Sequence, residues 1–182
     1  RDDRKDGGAL LFALTIRAIR ERIPGCKIEV LVPDFQGSRE AMEIVMAERP
    51  DVLNHNTETV PRLYRQVRLG ARYERSLELL ANVRQLAPVM ATKSGLMAGL
   101  GETRGEVEQL LRDLRAVDCN VVTIGQYLQP RRYNLPVAEY VEPEVFEAYR
   151  EYGLSLGFDA VFSGPLVRSS YMAERVFRGI QS

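Results

Sequence analysis

The 182-residue chain predicts an α/β domain built on a parallel sheet. Two observations point there. Helix-period and strand-like stretches alternate along the chain, and a crossover helix is what joins parallel neighbours. Strand candidates such as "VVTI" (121–124) are almost wholly apolar, as expected of strands covered on both faces. The architecture favoured is part of a (β/α) barrel, with a doubly wound open sheet as the alternative.

The elements follow in order. Residues 9–22, "ALLFALTIRAIRER", set Leu10, Leu14 and Ala18 along one helix face with Leu11 beside them, and Pro24 and Gly25 stop the helix. Residues 27–34, "KIEVLVPD", read as a β-branched strand closed by Pro33. Ser38 caps a second helix that ends before Pro50, and 51–56, "DVLNHN", is a short strand. Residues 73–86 form a helix with Leu77, Leu79 and Leu80 inward, followed by a strand over 89–96. Thr103 and Glu106 have capping-box spacing for a helix over 104–117, with Val107, Leu110, Leu111 and Leu114 as its buried stripe. A strand over 120–128 comes next. Glu142 and Pro143 open a helix to about Leu156, and 158–164, "FDAVFSG", is the last strand.

Charge is balanced, 25 basic against 25 acidic residues, which gives no reason to expect nucleic acid or a membrane surface as partner. The opening "RDDRKDGGAL" lacks an initiator Met and the apolar run of a signal peptide, so the chain reads as part of a longer protein. Cys26 and Cys119 lie far apart and make neither a disulfide scaffold nor a zinc site. Both read as small apolar residues in a reducing compartment.

Ligands of parallel α/β folds bind at the carboxyl ends of the strands. Unusual polar residues collect at those ends here: Asp34; Asn54, His55, Asn56 and Glu58; Lys93, Ser94 and Gly95 running into "GLMAGLGE"; Gln126, Tyr127 and Gln129; and Arg168, Ser169, Ser170 and Tyr171 after Gly164 and Pro165. The loop with Asp2, Asp3, Gly7 and Gly8 is a further candidate. Together they predict a polar cavity at one face. His55, the single histidine, is expected to be a hydrogen-bonded structural residue. Lys93 is a candidate for an anion or, desolvated, for a Schiff base. Read by themselves, the serines after Arg168 would be a turn bonded to its own backbone.

The blocks "RDDRKDGGA", "NHNTETVPRLY", "VRLGARYERSLELL", "TKSGLMAGLGE", "IGQYLQP" and "SGPLVRSSYMA" resemble, in order and spacing, those of the lipoyl synthase family of radical S-adenosylmethionine enzymes. The likeness runs over nearly the whole chain. Arg4 stands where the family has leucine, and Thr57 where it has a bulky apolar residue. The family's two cysteine triplets, C-x3-C-x2-C and C-x4-C-x5-C, have no counterpart, and Cys26 and Cys119 match no ligand position.

That resemblance implies a partial (β/α)6-type radical SAM TIM barrel over 1–182, lacking its first strands, with 158–182 as the last strand and a cluster-ligand motif. It implies two [4Fe–4S] clusters and S-adenosylmethionine in the intact protein, and a fragment inactive without the triplets. The activity implied is radical insertion of sulfur at C6 and C8 of an octanoyl chain on a carrier-protein lysine. The partners implied are an octanoylated lipoyl carrier domain or the glycine cleavage H protein, and an electron donor such as flavodoxin or ferredoxin. The location implied is bacterial cytoplasm, or the mitochondrion in a eukaryote. The residues implied for S-adenosylmethionine are Asp2 or Asp3 for its amino group, Asn54, Asn56 and Glu58 for ribose and neighbouring groups, and Lys93 or Ser94 for its carboxylate. Gly95 to Glu102 resemble the adenine-side pattern, with Met97 in place of an isoleucine. Ser169, or else Ser170, is the implied oxygen ligand of the auxiliary cluster, with Arg168 stabilising negative charge beside it. The other readings are a barrel lyase using Lys93 as Schiff base and a non-catalytic paralogue that binds a lipoyl carrier domain.

Overall fold

The computed structural model describes residues 6–170. Five strands, β1 (Glu29–Leu31), β2 (Val52–Asn54), β3 (Ala91–Ala98), β4 (Val121–Gln126) and β5 (Ala160–Gly164), form one sheet in sequence order, every neighbouring pair parallel. Helices α1 (Ala9–Arg22), α2 (Arg39–Ala47), α3 (Tyr64–Val67), α4 (Tyr73–Leu86), α5 (Arg104–Ala116) and α6 (Pro143–Ser155) precede or connect them. A doubly wound sheet reverses its strand order at a switch point, and this one does not. Right-handed crossovers that never reverse put all the helices on one face, which makes the sheet a partial barrel.

Local chemistry fixes most boundaries. Ser38 Oγ accepts from Ala41 N at 3.2 Å and starts α2. Thr103 and Glu106 form the reciprocal capping box of α5. Val107, Leu110, Leu111 and Leu114 are each 0% exposed, and each such burial contributes about 1.5–3 kcal/mol. The Arg62 guanidinium, paired with Glu106 at 2.7 Å, pulls the Glu106 carboxyl down to about 2.

Two expectations are corrected. In α1 the buried residues are Ala9, Ala13 and Ile16, while Leu10, Leu11 and Leu14 are exposed. α1 packs against α2, and Ala9 and Ile16 join the main core with Phe12 and Ile19 against it, so tertiary packing rather than the Leu stripe selects the face. The third strand runs from Ala91 to Ala98 rather than over 89–96, so Lys93, Ser94 and Gly95 lie inside it instead of at its end.

Candidate functional site

Register sets which side chains face the barrel interior. Gly95 is paired with Thr123, and Thr123 with Phe162; Lys93 is paired with both Asn54 and Val121. Side chains alternate along a strand, so Glu29 and Leu31, Asn54, Lys93, Gly95 and Met97, Thr123 and Gly125 share one face. The interior is layered. Val52, Ala91 and Val121, with Ala160 and Phe162 against them, close the bottom. Above them Lys93, 0% exposed, donates from Nζ to Glu29 Oε1 at 2.9 Å and Oε2 at 3.2 Å. Asn54 Nδ2 donates to the same Glu29 Oε1 at 3.0 Å.

Over this floor lies a cavity of about 320 Å³, lined by Leu31, Asn56, Glu58, Gly95, Met97, Thr123, Gly125, Arg168 and Ser169 among others. Two glycines let its walls pack closely. A Cβ at Gly95 would lie 2.6 Å from Thr123 Oγ1 and 2.9 Å from Asn56 Oδ1. A Cβ at Gly125 would lie 2.1 Å from the Val167 carbonyl oxygen, so only glycine lets the segment after β5 cross β4. That crossing brings Arg168 and Ser169 to the cavity, and Arg168 Nη1 donates to Gln126 O at 3.2 Å.

Glu58 has a left-handed backbone, φ 64°, an uncommon state for a non-glycine residue. It is held there because its N–H donates to Gly95 O at 2.9 Å and its carbonyl accepts from Met97 N at 2.9 Å. Asn56 Nδ2 donates to Glu58 Oε1 at 3.2 Å, whereas Asn56 Oδ1 is buried with no hydrogen-bond partner among the described residues. A buried acceptor left without a donor costs about 1–3 kcal/mol, so a site that keeps one is shaped for something that donates.

Other sequence-singled residues stand elsewhere. Ser94 is on the outer face of β3, where its Oγ accepts from Thr57 N at 3.3 Å. Glu102 accepts from Gly99 N and Leu100 N at 2.6 and 2.9 Å and fixes the glycine turn before α5. Asp34 pairs with Arg75 at 3.0 Å. His55 is buried between Val32 O and Ser76 Oγ, each 2.9 Å away, the structural role expected of it. Gln126, Tyr127 and Gln129 do not line the cavity; they bond backbone carbonyls in the loop that follows β4. The expectation that every polar strand end meets in one cavity is corrected accordingly. Ser170 is exposed and outside the lining, while Asp2, Asp3 and Tyr171 lie outside the described residues. Glu29, Leu31, Thr123 and Gly125 are the site residues that sequence reasoning missed. A glycine inside an apolar strand was the one signal available, for Gly125.

Residues 1–114 match the Radical SAM superfamily, and this match covers most of the chain. The chain belongs to the radical SAM superfamily. A lipoyl synthase of Caldanaerobacter subterraneus subsp. tengcongensis is 56% identical to it over 174 residues, 96% of this chain and 61% of the relative. One of Roseiflexus sp. is 58% identical over 173 residues, 95% of this chain and 58% of the relative. One of Geotalea daltonii is 55% identical over 179 residues, 98% of this chain and 60% of the relative. The chain thus spans about three fifths of the length of these curated relatives. Methylornithine synthase has a similar fold, with a TM-score of 0.62 over 94% of this chain and 61% of that one at 14% identity.

The cavity fits part of what radical SAM chemistry requires. For S-adenosylmethionine it offers Asn56 Oδ1, unpartnered among the described residues, and the Glu58 carboxylate. Iron–sulfur clusters fit less well. Among the described residues no group of three His, Cys, Asp or Glu is placed to hold a metal ion. Cys119 is fully buried and its thiol is pushed up to about 12, so it is not a thiolate at neutral pH. Among the described residues, Ser169 is the one hydroxyl of the terminal motif on the cavity lining.

Proposed function

We propose that this chain is the barrel portion of a lipoyl synthase, an enzyme that inserts two sulfur atoms at C6 and C8 of an octanoyl chain held on a carrier-protein lysine. The observation that carries the reading is the one cavity that gathers Asn56, Glu58 and Gly95 from one side and Arg168 and Ser169 from the other. Identities of 54% to 58% to lipoyl synthases over nearly the whole chain support it.

Bound S-adenosylmethionine and two iron–sulfur clusters supply the one-electron chemistry and the sulfur. The chain's own residues bind, orient and shield. Asn56 Oδ1 accepts from a hydroxyl that enters the cavity, and the Glu58 carboxylate beside it takes a second donor. Gly95 leaves room for the Thr123 and Asn56 side chains, which close over β3 and hold the Asn56 amide at the cavity. Leu31 and Met97 give the cavity apolar walls against which an acyl chain can lie. Ser169 would offer an oxygen ligand to iron, with the Arg168 guanidinium to balance negative charge. Lys93 and Asn54 belong to the floor, bonded to Glu29, rather than to the ligand-bearing layer. Asp2 or Asp3 remains the proposed partner of the amino group. Of the proposed S-adenosylmethionine contacts, Ser94 and Glu102 act only indirectly, by holding the backbone around Gly95 and the glycine turn.

The Schiff-base alternative is disfavoured, since an ammonium held by both oxygens of a carboxylate and closed to solvent is not an available nucleophile. The partners we propose are an octanoylated lipoyl carrier domain or glycine cleavage H protein, and flavodoxin or ferredoxin as reductant, in a bacterial cytoplasm. Calorimetry of S-adenosylmethionine binding to the full-length protein tests the site. Replacing Glu58 with alanine removes a charged hydrogen bond, about 1.5–3 kcal/mol, and weakens affinity roughly ten- to hundredfold. Asn56→Ala has a smaller effect in the same direction. Unchanged affinity in both variants would remove this cavity as the binding site.

A further inference from the structure

Residues 127–142, between β4 and α6, contain neither helix nor strand. Ordered loops of this length are uncommon unless they carry a function. This one is braced along its length. Gln126 holds the returning limb from both ends of its amide, Nε2 donating to Glu139 O at 2.9 Å and Oε1 accepting from Val141 N at 3.0 Å. Tyr127 Oη donates to Leu135 O at 2.8 Å, and Gln129 Nε2 to Asn134 O at 2.8 Å. Ala138 N donates to Gly99 O at 2.9 Å, which fastens the limb across the end of β3. Gly99 is needed for this, because a Cβ there would lie 2.4 Å from Glu139 O.

So much bracing ends in a tip that touches little. Arg131, Arg132 and Tyr133 are exposed, Tyr133 at 76%. The Arg131 guanidinium donates to Tyr133 Oη at 2.5 Å and lies 5.8 Å from its ring centroid, so the two side chains hold one another at the tip. The Arg132 guanidinium has no ion-pair partner among the described residues. The acidic residues of the segment, Glu139 and Glu142, are on the returning limb, away from this tip. The root of the arm meets the cavity, since Arg168 on its lining bonds to Gln126 O. Arginine and tyrosine on a rigid support are the residues that most often anchor protein partners.

We propose that the arm over 127–142 is a docking site for a carboxylate-rich surface of the folded protein whose acyl-lysine enters the cavity. Arg131 and Arg132 meet the carboxylates, and Tyr133 supplies rigid apolar contact. The inference rests on the lipoyl synthase reading for the identity of that protein, but not for the existence of the surface. Charge at the rim of an interface acts mainly on encounter rate and salt dependence, so its signature differs from that of an active-site residue.

The test uses the full-length protein, a lipoyl carrier domain octanoylated on its lysine, and a short octanoyl-lysine peptide. The double variant Arg131→Glu/Arg132→Glu is expected to bind the carrier domain about tenfold more weakly at low salt and to lose most of the salt dependence seen in the wild type. Turnover of the short peptide should be unchanged, because it has no surface for the arm to meet. Carrier affinity and salt dependence equal to wild type would overturn the proposal, as would an equal fall in peptide turnover. If the carrier binds through the arm but neither substrate gains sulfur, the docking surface stands and the proposed activity falls.

Discussion

Glu29→Ala is expected to destabilise the domain by about 3–5 kcal/mol, because it leaves the Lys93 ammonium buried without its counter-charge. Lys93 is 0% exposed and its amine bonds to both Glu29 oxygens. Asn54 Nδ2 loses a partner in the same change, and Asn54 Oδ1 already has none among the described residues. Urea denaturation reads the effect as a large fall in the midpoint at constant slope. Replacing both members, Glu29→Leu with Lys93→Met, should recover much of the loss, since an apolar pair of similar volume is often no worse than a buried ion pair. A Glu29→Ala variant as stable as wild type would show that the pair does not hold the floor of the cavity.

Gly125→Ala is expected to push the segment after β5 off the sheet. The added Cβ would lie 2.1 Å from the Val167 carbonyl oxygen and 3.2 Å from Arg168 Nη1. Backbone cannot yield as a flexible side chain does, so the whole crossing must shift. The global cost is about 1–3 kcal/mol, the usual range for overpacking. The local cost is greater: Arg168 and Ser169 leave the cavity. Amide exchange should show it, because Val167 N–H, bonded to Gly164 O at 3.1 Å, would lose protection while α5 keeps its own. Gly105→Ala is the control, with nothing within 4 Å of its added Cβ. If Val167 is equally protected in both variants, the close approach at Gly125 does not position the terminal motif.

Local signals in the sequence are legible where the chemistry is local. The bounds expected for α1 and α4 match the observed ones, and the Thr103 and Glu106 capping box is present. These features depend on residues within a few positions of one another. The face of α1 could not be read that way, because an apolar helix offers two stripes and only its neighbours choose between Leu10 with Leu14 and Ala9 with Ala13. Strand faces were hidden for a related reason. A parallel strand covered on both sides has no alternation, so "TKSG" does not say that Lys93 points inward and Ser94 outward. The partner of Lys93, Glu29, lies 64 residues earlier and on the first observed strand. Gln126 looked like a ligand group but is used to hold a limb that returns 13 residues later. The Asn56, Glu58 and Gly95 grouping was legible because a single strand end and its neighbour supply it; Leu31, Thr123 and Gly125 join it only through sheet register.

We propose that the cavity carries sulfur-insertion chemistry, with Ser169 on its lining and Ser170 outside it. The direct measurement is the mass of an octanoylated carrier domain after anaerobic incubation with the reduced full-length protein and S-adenosylmethionine. Wild type and Ser170→Ala should each add two sulfur atoms, while Ser169→Ala should add none and hold less iron. No added sulfur with wild type, or full insertion by Ser169→Ala, would contradict the account.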